Sequence, residues 1–493
     1  MRYLLLLILF IPIVVLAEPI HLTQADIEEA FTNRGTEIQN TGIKFVFDYY
    51  STGFVLSREE YILDEDIDLH KGFMTPATSD LVVINLNGHS INQNLDVYSG
   101  KNTTCTIRDL WETTAVVNMT INGPGTIGRA QNVSTNNVNV HGGTVTFNNV
   151  DVKGTVRASN NNALSVINFN NSNLEGRFEM WHSDLNIDGG KFGYDENSVY
   201  NSLYGSNAVI NNATIDVINN NGLDIQSDSG VYSKATITNS TISGGPDSIY
   251  ITNGCELKLY NSELIGDSVG GWYNIYLGGT PTIELADVHM YTKREINGPH
   301  VMQIQGDDGT APEDAFARFL KEGYIYYNNP TYASGSSYSA MVNKEIWIIK
   351  QQEEYEAEEQ TYEIPEDNEV IIKVSGYKFL FEKLIINNEE VPDTDYEILD
   401  TDGDKDVSIK IKNDYLKTLE ANKYDIEVVF TNGSATTTLN VVDEEPVSNE
   451  VPEVKGEEEN PKTGVHNYLI LLIPIVVLGI VYLYTIKKTL FKI

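Results

Sequence analysis

The sequence predicts an all-β chain whose main body is a long parallel β-solenoid, and three observations carry that prediction. Short runs alternating apolar and polar residues recur from about residue 60 to 350, as in Ile84-Asn85-Leu86, Val145-Thr146-Phe147 and Ala235-Thr236-Ile237. Period-two alternation is what a half-buried strand requires. Asn, Ser, Thr or Gly follow each run at a matching place and are themselves followed by one more apolar residue, as in Asn149-Val150-Asp151-Val152 and Asn239-Ser240-Thr241-Ile242. Aligned on that final apolar residue, the chain gives Ile91, Ile127, Val152, Leu174, Phe192, Ile215, Ile242, Leu264 and Met290. From Ile127 the steps are 25, 22, 18, 23, 27, 22 and 26 residues. A period in the low twenties with several strands per unit suits rungs that bury their apolar face only by stacking. A leucine-rich repeat has a similar period but needs Leu-rich spacing and a helical segment, which are absent. Nine rungs at the strand spacing of ~4.8 Å give a rod of about 40 Å. Asn residues at matching turns are expected to form side-chain ladders between rungs.

Composition bounds the rest. The 493 residues carry 33 Lys+Arg against 70 Asp+Glu, a formal charge of −37. So acidic a chain lacks the basic surface that nucleic acid needs, and it is unsuited to anionic lipid headgroups outside its short basic tail. Apolar residues at 41% are enough for folded cores, which separates it from disordered acidic proteins. Two cysteines, Cys105 and Cys255, exclude a disulfide scaffold and a Cys-based zinc site. They are equally compatible with one bridge and with two buried thiols. No motif implies a metal or a cofactor.

Taken in order, residues 1–17 start with Arg2, continue apolar and close on Val15-Leu16-Ala17, the pattern of a cleaved secretory signal. Residues 18–60 form an N-terminal cap region, because an open rung exposes core and unpaired edges. Thr23-Gln24-Ala25-Asp26 opens a short helix there, with Leu22, Ile27, Ala30 and Phe31 available to cover the end. The solenoid is assigned to 61–350. Near its end Pro312-Glu313-Asp314 starts another short helix, with Phe316, Phe319 and Leu320 on one face and Gly323 as its stop.

Residues 361–442 read as a small β-sandwich: Val370–Val374, Lys383–Ile386, Tyr396–Leu399, Val407–Ile411, Ile426–Phe430 and Ala435–Val442 are strand candidates. Asn432-Gly433 is the strongest hairpin signal in the chain, and Lys383 to Glu389 looks like a second hairpin entry. This pattern is similar to the Ig-like accessory modules of Gram-positive surface proteins, with Asn413–Leu419 as their short helical crossover. Asp400 to Asp406 resembles the start of a calcium loop, but Lys405 and Ile411 stand where an EF-hand needs Gly and Glu, so an acidic turn is the better reading. Residues 443–459 are acidic, contain Pro446 and Pro452, and read as an extended stalk.

Residues 468–486 are uncharged and long enough to cross a bilayer as one transmembrane helix. Lys487, Lys488 and Lys492 in the tail 487–493 place that tail in the cytoplasm and the bulk outside. Just before the span stand Asn460-Pro461-Lys462-Thr463-Gly464. The order of pentapeptide, span and basic tail resembles the cell-wall sorting signal of Gram-positive surface proteins. That resemblance implies that a sortase cleaves Thr463–Gly464 and joins Thr463 to peptidoglycan, so that the membrane is touched only through 468–486 before sorting. An Asn in place of the commoner initial Leu leaves the sortase class open.

The solenoid region as a whole looks like the right-handed parallel β-helix family that includes pectate lyases, polysaccharide hydrolases and many bacterial surface proteins. A second register is visible in its later rungs. Leu223-Asp224-Ile225, Ile249-Tyr250-Ile251 and Ile275-Tyr276-Leu277 repeat at 26 and 26, which points Asp224, Tyr250 and Tyr276 outward on one face. Trp272 and Tyr273 lie just before the last of these, and Asp228 and Asp247 sit in adjoining turns. Aromatic rings beside carboxylates suit the stacking and hydrogen bonding of sugar rings, and facing carboxylates would also suit a glycosidase. Asn221 to Ile225 is distantly similar to a catalytic stretch of β-helix polygalacturonases, whose further Gly-His-Gly and Arg-x-Lys motifs have no counterpart here. His89 reads as part of a rung turn, and His182 as an exposed-turn residue with no identifiable partner. The expectation is a wall-anchored adhesin or display rod that binds host or microbial glycans or glycoproteins. The alternative is a surface-tethered polysaccharide-degrading enzyme using Asp224, Asp228 or Asp247.

Overall fold

The computed structural model describes residues 18–443 except 48–51, 70–72, 77–80, 93, 99–117, 125, 128–135, 160–163, 194–200, 267–272, 293–301, 306–315, 328–331, 335–337, 342–344, 365–368 and 400–405. Signal segment, sortase-type motif, candidate span, basic tail, stalk from 444, Trp272, Cys105 and most of the calcium-like loop lie outside the described residues. Among the described residues no helix is long and apolar enough to cross a membrane.

The fold is all-β and is dominated by a parallel β-solenoid, as the repeat predicts. One sheet has 18 strands and the other 15. The nine residues aligned by sequence lie side by side in one column: Ile91, Ile127, Val152, Leu174, Phe192, Ile215, Ile242, Leu264 and Met290 pair successively in parallel register. All nine belong to a single core cluster. Within it Phe147 and Phe169 stack from rung to rung with centroids 5.0 Å apart, and Phe192 meets Phe169 edge to face at 5.2 Å.

The corner of each coil explains the Asn-rich turns. Asn149, Asn171, Asn212, Asn239, Asn261 and Asp287 adopt φ between 43° and 56°, and Gly189 occupies the same place at 80°. Asn, Asp and Gly are the residues that enter this left-handed region at least cost. The predicted ladders form beside it. Asn148 Nδ2 donates to Asn122 Oδ1 at 2.9 Å, Asn170 Nδ2 to Asn148 Oδ1 at 2.7 Å, Asn239 Nδ2 to Asn211 Oδ1 at 3.1 Å and Asn261 Nδ2 to Asn239 Oδ1 at 2.7 Å. Buried serines complete the turn. The backbone N–H of Ala213 donates to Ser240 Oγ and that of Ser240 to Ser262 Oγ, both at 3.1 Å, which satisfies donors that the bend removes from the sheet.

Both ends are closed. The helix Gln24–Thr32 buries Ile27 and Ala30, and Asp26 accepts the backbone N–H of Thr23 at 2.8 Å. At the other end Phe316 and Phe319 are buried around the 3₁₀ turn Ala317–Phe319, which Leu320 caps; Gly323, expected as its stop, lies three residues further on with φ of 84°, and Pro312-Glu313-Asp314 lie outside the described residues. The strand Glu345–Lys350 then pairs antiparallel with Thr282–Thr292 and with Tyr324–Tyr327, ending the parallel ladder. This strand serves two cores by simple alternation: Ile346 and Ile348 face the solenoid interior, while Trp347 and Ile349 belong to a second cluster.

That second cluster lies between two sheets of six and three strands. Val370–Ser375, Phe381–Ile386, Tyr396–Ile398, Asp406–Ile411, Asn422–Phe430 and Gly433–Asp443 match the predicted strands, and Asn413–Leu416 is helical. The hairpin signalled by Asn432-Gly433 forms one residue earlier: Thr431 and Asn432 make the turn, and Gly433 is already a strand residue opposite Phe430. The second hairpin turns at Asn387 and Asn388, with φ of 48° and 66°, as a two-residue turn needs. The unit starts earlier than residue 361: Glu353–Glu356 is already one of its strands. Cys255 is a free, fully buried thiol.

Candidate functional site

The outward face of the 15-stranded sheet carries the candidate site. Its strands place Arg157, Glu179, Ser202, Asp224, Tyr250 and Tyr276 in one column, each paired with the next in register. The apolar neighbours Leu223, Ile225, Ile249, Ile251, Ile275 and Leu277 are fully buried, so alternation directs Asp224 and the two tyrosines outward. The Tyr250 and Tyr276 rings are 5.3 Å apart with 32° between their planes. Tyr273 is 6% exposed and packs on Tyr276 with centroids 5.7 Å apart, so it supports that ring rather than offering its own face.

A second aromatic pair, not singled out from sequence, lies one column over. Ser159, Trp181, Tyr204 and Gln226 pair successively, and Trp181 stacks on Tyr204 at 4.1 Å and 22°. The Arg157 guanidinium lies 6.0 Å from the Trp181 ring centroid, a cation–π distance. Arg157 and Arg177 share one carboxylate, Glu179, at 3.5 and 2.5 Å. Trp181 and Tyr204 stand 23 residues apart, one period of the repeat. That spacing is the signal that could have found them.

The three aspartates part company. Asp228 accepts a hydrogen bond from His182 Nε2 at 2.7 Å, which corrects the reading of His182 as partnerless; the two are 46 positions apart in sequence, two turns of the coil, and meet across the intervening Gly205. Asp224 is 4% exposed and is held by Asn221 Nδ2 at 2.8 Å and Gln226 Nε2 at 3.0 Å. Burial nonetheless pushes its pKa up to about 6. Asp247, 8% exposed, is pushed up to about 7, mainly by burial and further by the charge of Asp224, against a backbone hydrogen bond from Tyr273 that lowers it. Asp247 Oδ1 is buried and has no hydrogen-bond partner. Asp224 and Asp247 also raise the Tyr250 pKa, behind burial and Tyr276, so both carboxylates and the ring form one electrostatic unit. Two carboxyls near neutrality beside half-buried rings can hold or release one proton and accept sugar hydroxyls.

Two clefts of about 340 and 410 Å³ lie elsewhere, at the joint between the last rungs and the C-terminal unit, and share Asp287 and Tyr377. Among the described residues no group of His, Cys, Asp and Glu is arranged to hold a metal.

No protein-family model matches the chain, and no curated protein matches it. Among solved structures, the crystal structure of I81 from titin is 22% identical over 18% of this chain and 90% of that one, with a TM-score of 0.14. The structure of titin kinase and its flanking domains is 14% identical over 20% of this chain and 19% of that one, TM-score 0.14. The I9–I11 tandem from titin is 14% identical over 24% of this chain and 55% of that one, TM-score 0.15. Likenesses at these TM-scores carry no argument about fold or function.

Proposed function

We propose that this chain is a wall-anchored surface protein whose solenoid is a glycan-binding display rod. The observation that carries the reading is two aromatic pairs on one outward sheet face, Trp181 stacked on Tyr204 and Tyr250 tilted against Tyr276. Rings repeated at the strand spacing suit successive sugar units, whose C–H faces stack on them while carboxylates and amides take the hydroxyls. Arg157, Glu179, Asp224 and Gln226 supply those polar groups. Host or microbial glycans and glycoproteins are the partners this surface fits. In this reading the solenoid is a right-handed β-helix and the C-terminal unit is an Ig-like module on an acidic stalk. A sortase acting on Asn460-Pro461-Lys462-Thr463-Gly464 links Thr463 to peptidoglycan on the outer face of a Gram-positive cell.

A glycan array probed with the mature chain, with Tyr250→Ala and with Tyr276→Ala, tests the binding. Selective signals lost in both variants support it; no signal from the wild-type chain sinks it. For anchoring, Thr463→Ala should move the protein from the wall fraction to the membrane fraction, and unchanged wall linkage refutes the motif assignment.

The hydrolase reading is favoured by one observation, the Asp224–Asp247 pair. In it Asp247, with a pKa of about 7, donates the proton to the leaving glycosidic oxygen. Asp224, with a pKa of about 6, takes the proton of the attacking water or attacks the sugar carbon itself. Cleavage of an array-positive polysaccharide that disappears in Asp247→Asn while binding persists would establish it. Binding without cleavage leaves the display rod.

A further inference from the structure

We propose that the C-terminal β unit is a mechanical clamp, arranged so that tension along the chain shears its first strands against its last. Chain order and strand direction carry the inference. The chain leaves the solenoid through Glu345–Lys350 and at once forms Glu353–Glu356 and Gln360–Ile364. Both run parallel to Gly433–Asp443, the last described strand before the C-terminus. Four positions, Glu353 to Glu356, pair with Gly433 to Thr436, and five, Gln360 to Ile364, pair with Leu439 to Asp443. Parallel strands pulled at the start of one and the end of the other slide along their own length, so the ladder hydrogen bonds resist together. An antiparallel hairpin pulled at its open end parts one bond at a time.

Side chains staple the same two segments. Thr437 Oγ1 donates to the Glu358 carbonyl at 2.7 Å, and Thr438 Oγ1 and Asn440 Nδ2 both donate to Glu359 Oε1 at 2.9 Å. Lys423 Nζ, on the neighbouring strand, reaches the same carboxylate oxygen at 3.2 Å. Tyr355 Oη donates to Asn432 Oδ1 at 2.8 Å, and Asn432 Nδ2 donates to the Lys350 carbonyl at 2.9 Å. Gly433 permits the close entry of the first strand, since a Cβ there would stand 1.8 Å from the Glu353 carbonyl oxygen. The solenoid end is held too: Trp347, on the strand that closes the solenoid, packs on Tyr377 and Phe379 of the C-terminal unit at 4.8 and 5.1 Å. A rod gripped at its far end and fixed at its C-terminus would load this ladder. That use rests on the proposed anchoring, but the clamp itself does not.

Single-molecule force spectroscopy on the mature chain separates the two modes. Handles at Gln351 and Asp443 load the ladder in shear, and handles at Gln351 and Thr431 peel it from its first pair. The C-terminal unit should unfold at a force about twofold or more higher in shear at the same loading rate, because forced unfolding follows the barrier crossed. Glu359→Ala should lower the shear force and leave the peeling force unchanged. Equal forces in the two directions overturn the clamp, and a Glu359→Ala effect of the same size in both overturns the role of the staples.

Discussion

The two outward faces of the solenoid are made by the same repeat and use their polar groups in opposite ways. On the 18-stranded sheet and its corner, Asn148, Asn170, Asn211, Asn239 and Asn261 bond to their counterparts or to neighbouring amides one rung away. On the 15-stranded sheet, the column runs through Arg157, Glu179, Asp224, Tyr250 and Tyr276, residues of different charge and shape. Its aspartates are buried at a cost, and Asp247 keeps an oxygen without a partner. A face whose groups satisfy one another stabilises the rod, whereas the face that carries rings and buried, protonatable carboxyls is the one proposed to meet a ligand.

Four substitutions sharpen or break that comparison. The largest effect belongs to the core beneath both faces. Phe169→Ala removes the middle ring of the Phe147–Phe169–Phe192 cluster and should cost about 3–5 kcal/mol in denaturant unfolding. A loss well below that range would mean that the rungs do not share one cooperative core.

Next comes Asp247→Asn on the aromatic face. Because the folded pKa lies above the unfolded one, the folded state keeps its proton longer. Stability therefore falls as pH rises from about 4 to about 7 and is level above that. At 1.36 kcal/mol per unit the upper bound is about 4 kcal/mol at pH 8. Asp247→Asn should recover much of this above pH 7, have little effect below pH 4, and flatten the slope between. Thermal unfolding at pH 4, 6 and 8 measures it, and an unchanged slope would contradict the burial assigned to this carboxyl.

Asn239→Ala on the other face removes a ladder member and puts an alanine at φ of 49°. It should cost about 1–2 kcal/mol and leave glycan binding untouched, read by chemical denaturation beside the array. The smallest stability change is expected for Tyr250→Ala, about 1 kcal/mol, since the ring leans on Tyr276 without plugging the core. A loss as large as that of Phe169→Ala would make Tyr250 a structural residue.

Much of this was legible because the solenoid stacks sequence neighbours one period apart. The nine aligned apolar residues fall in one column even where the step shrinks to 18 residues between Leu174 and Phe192, since loop length varies and the strand register does not. The Asn corners and the Tyr250–Tyr276 register were readable for the same reason. Trp181 and Tyr204 were missed because Trp181 stands beside His182, in what reads as a turn, and the strand Phe178–Trp181 is only four residues long. His182 and Asp228 join rungs that are not adjacent in sequence, which periodicity alone does not pair. The strand Glu353–Glu356 was hidden by its composition. Three of its residues are Glu, and the strand is specified by its partner Gly433–Thr436, some eighty positions away.

The account stands or falls on which face meets a ligand. The most direct measurement is the affinity of the mature chain for an array-positive glycan, compared between Tyr250→Ala/Tyr276→Ala and Asn239→Ala at equal folded fraction. The account predicts at least a roughly tenfold loss for the tyrosine pair, about 1.4 kcal/mol or more, and none for Asn239→Ala. Loss in the asparagine variant with full affinity in the tyrosine variant would place the ligand on the opposite face and contradict it.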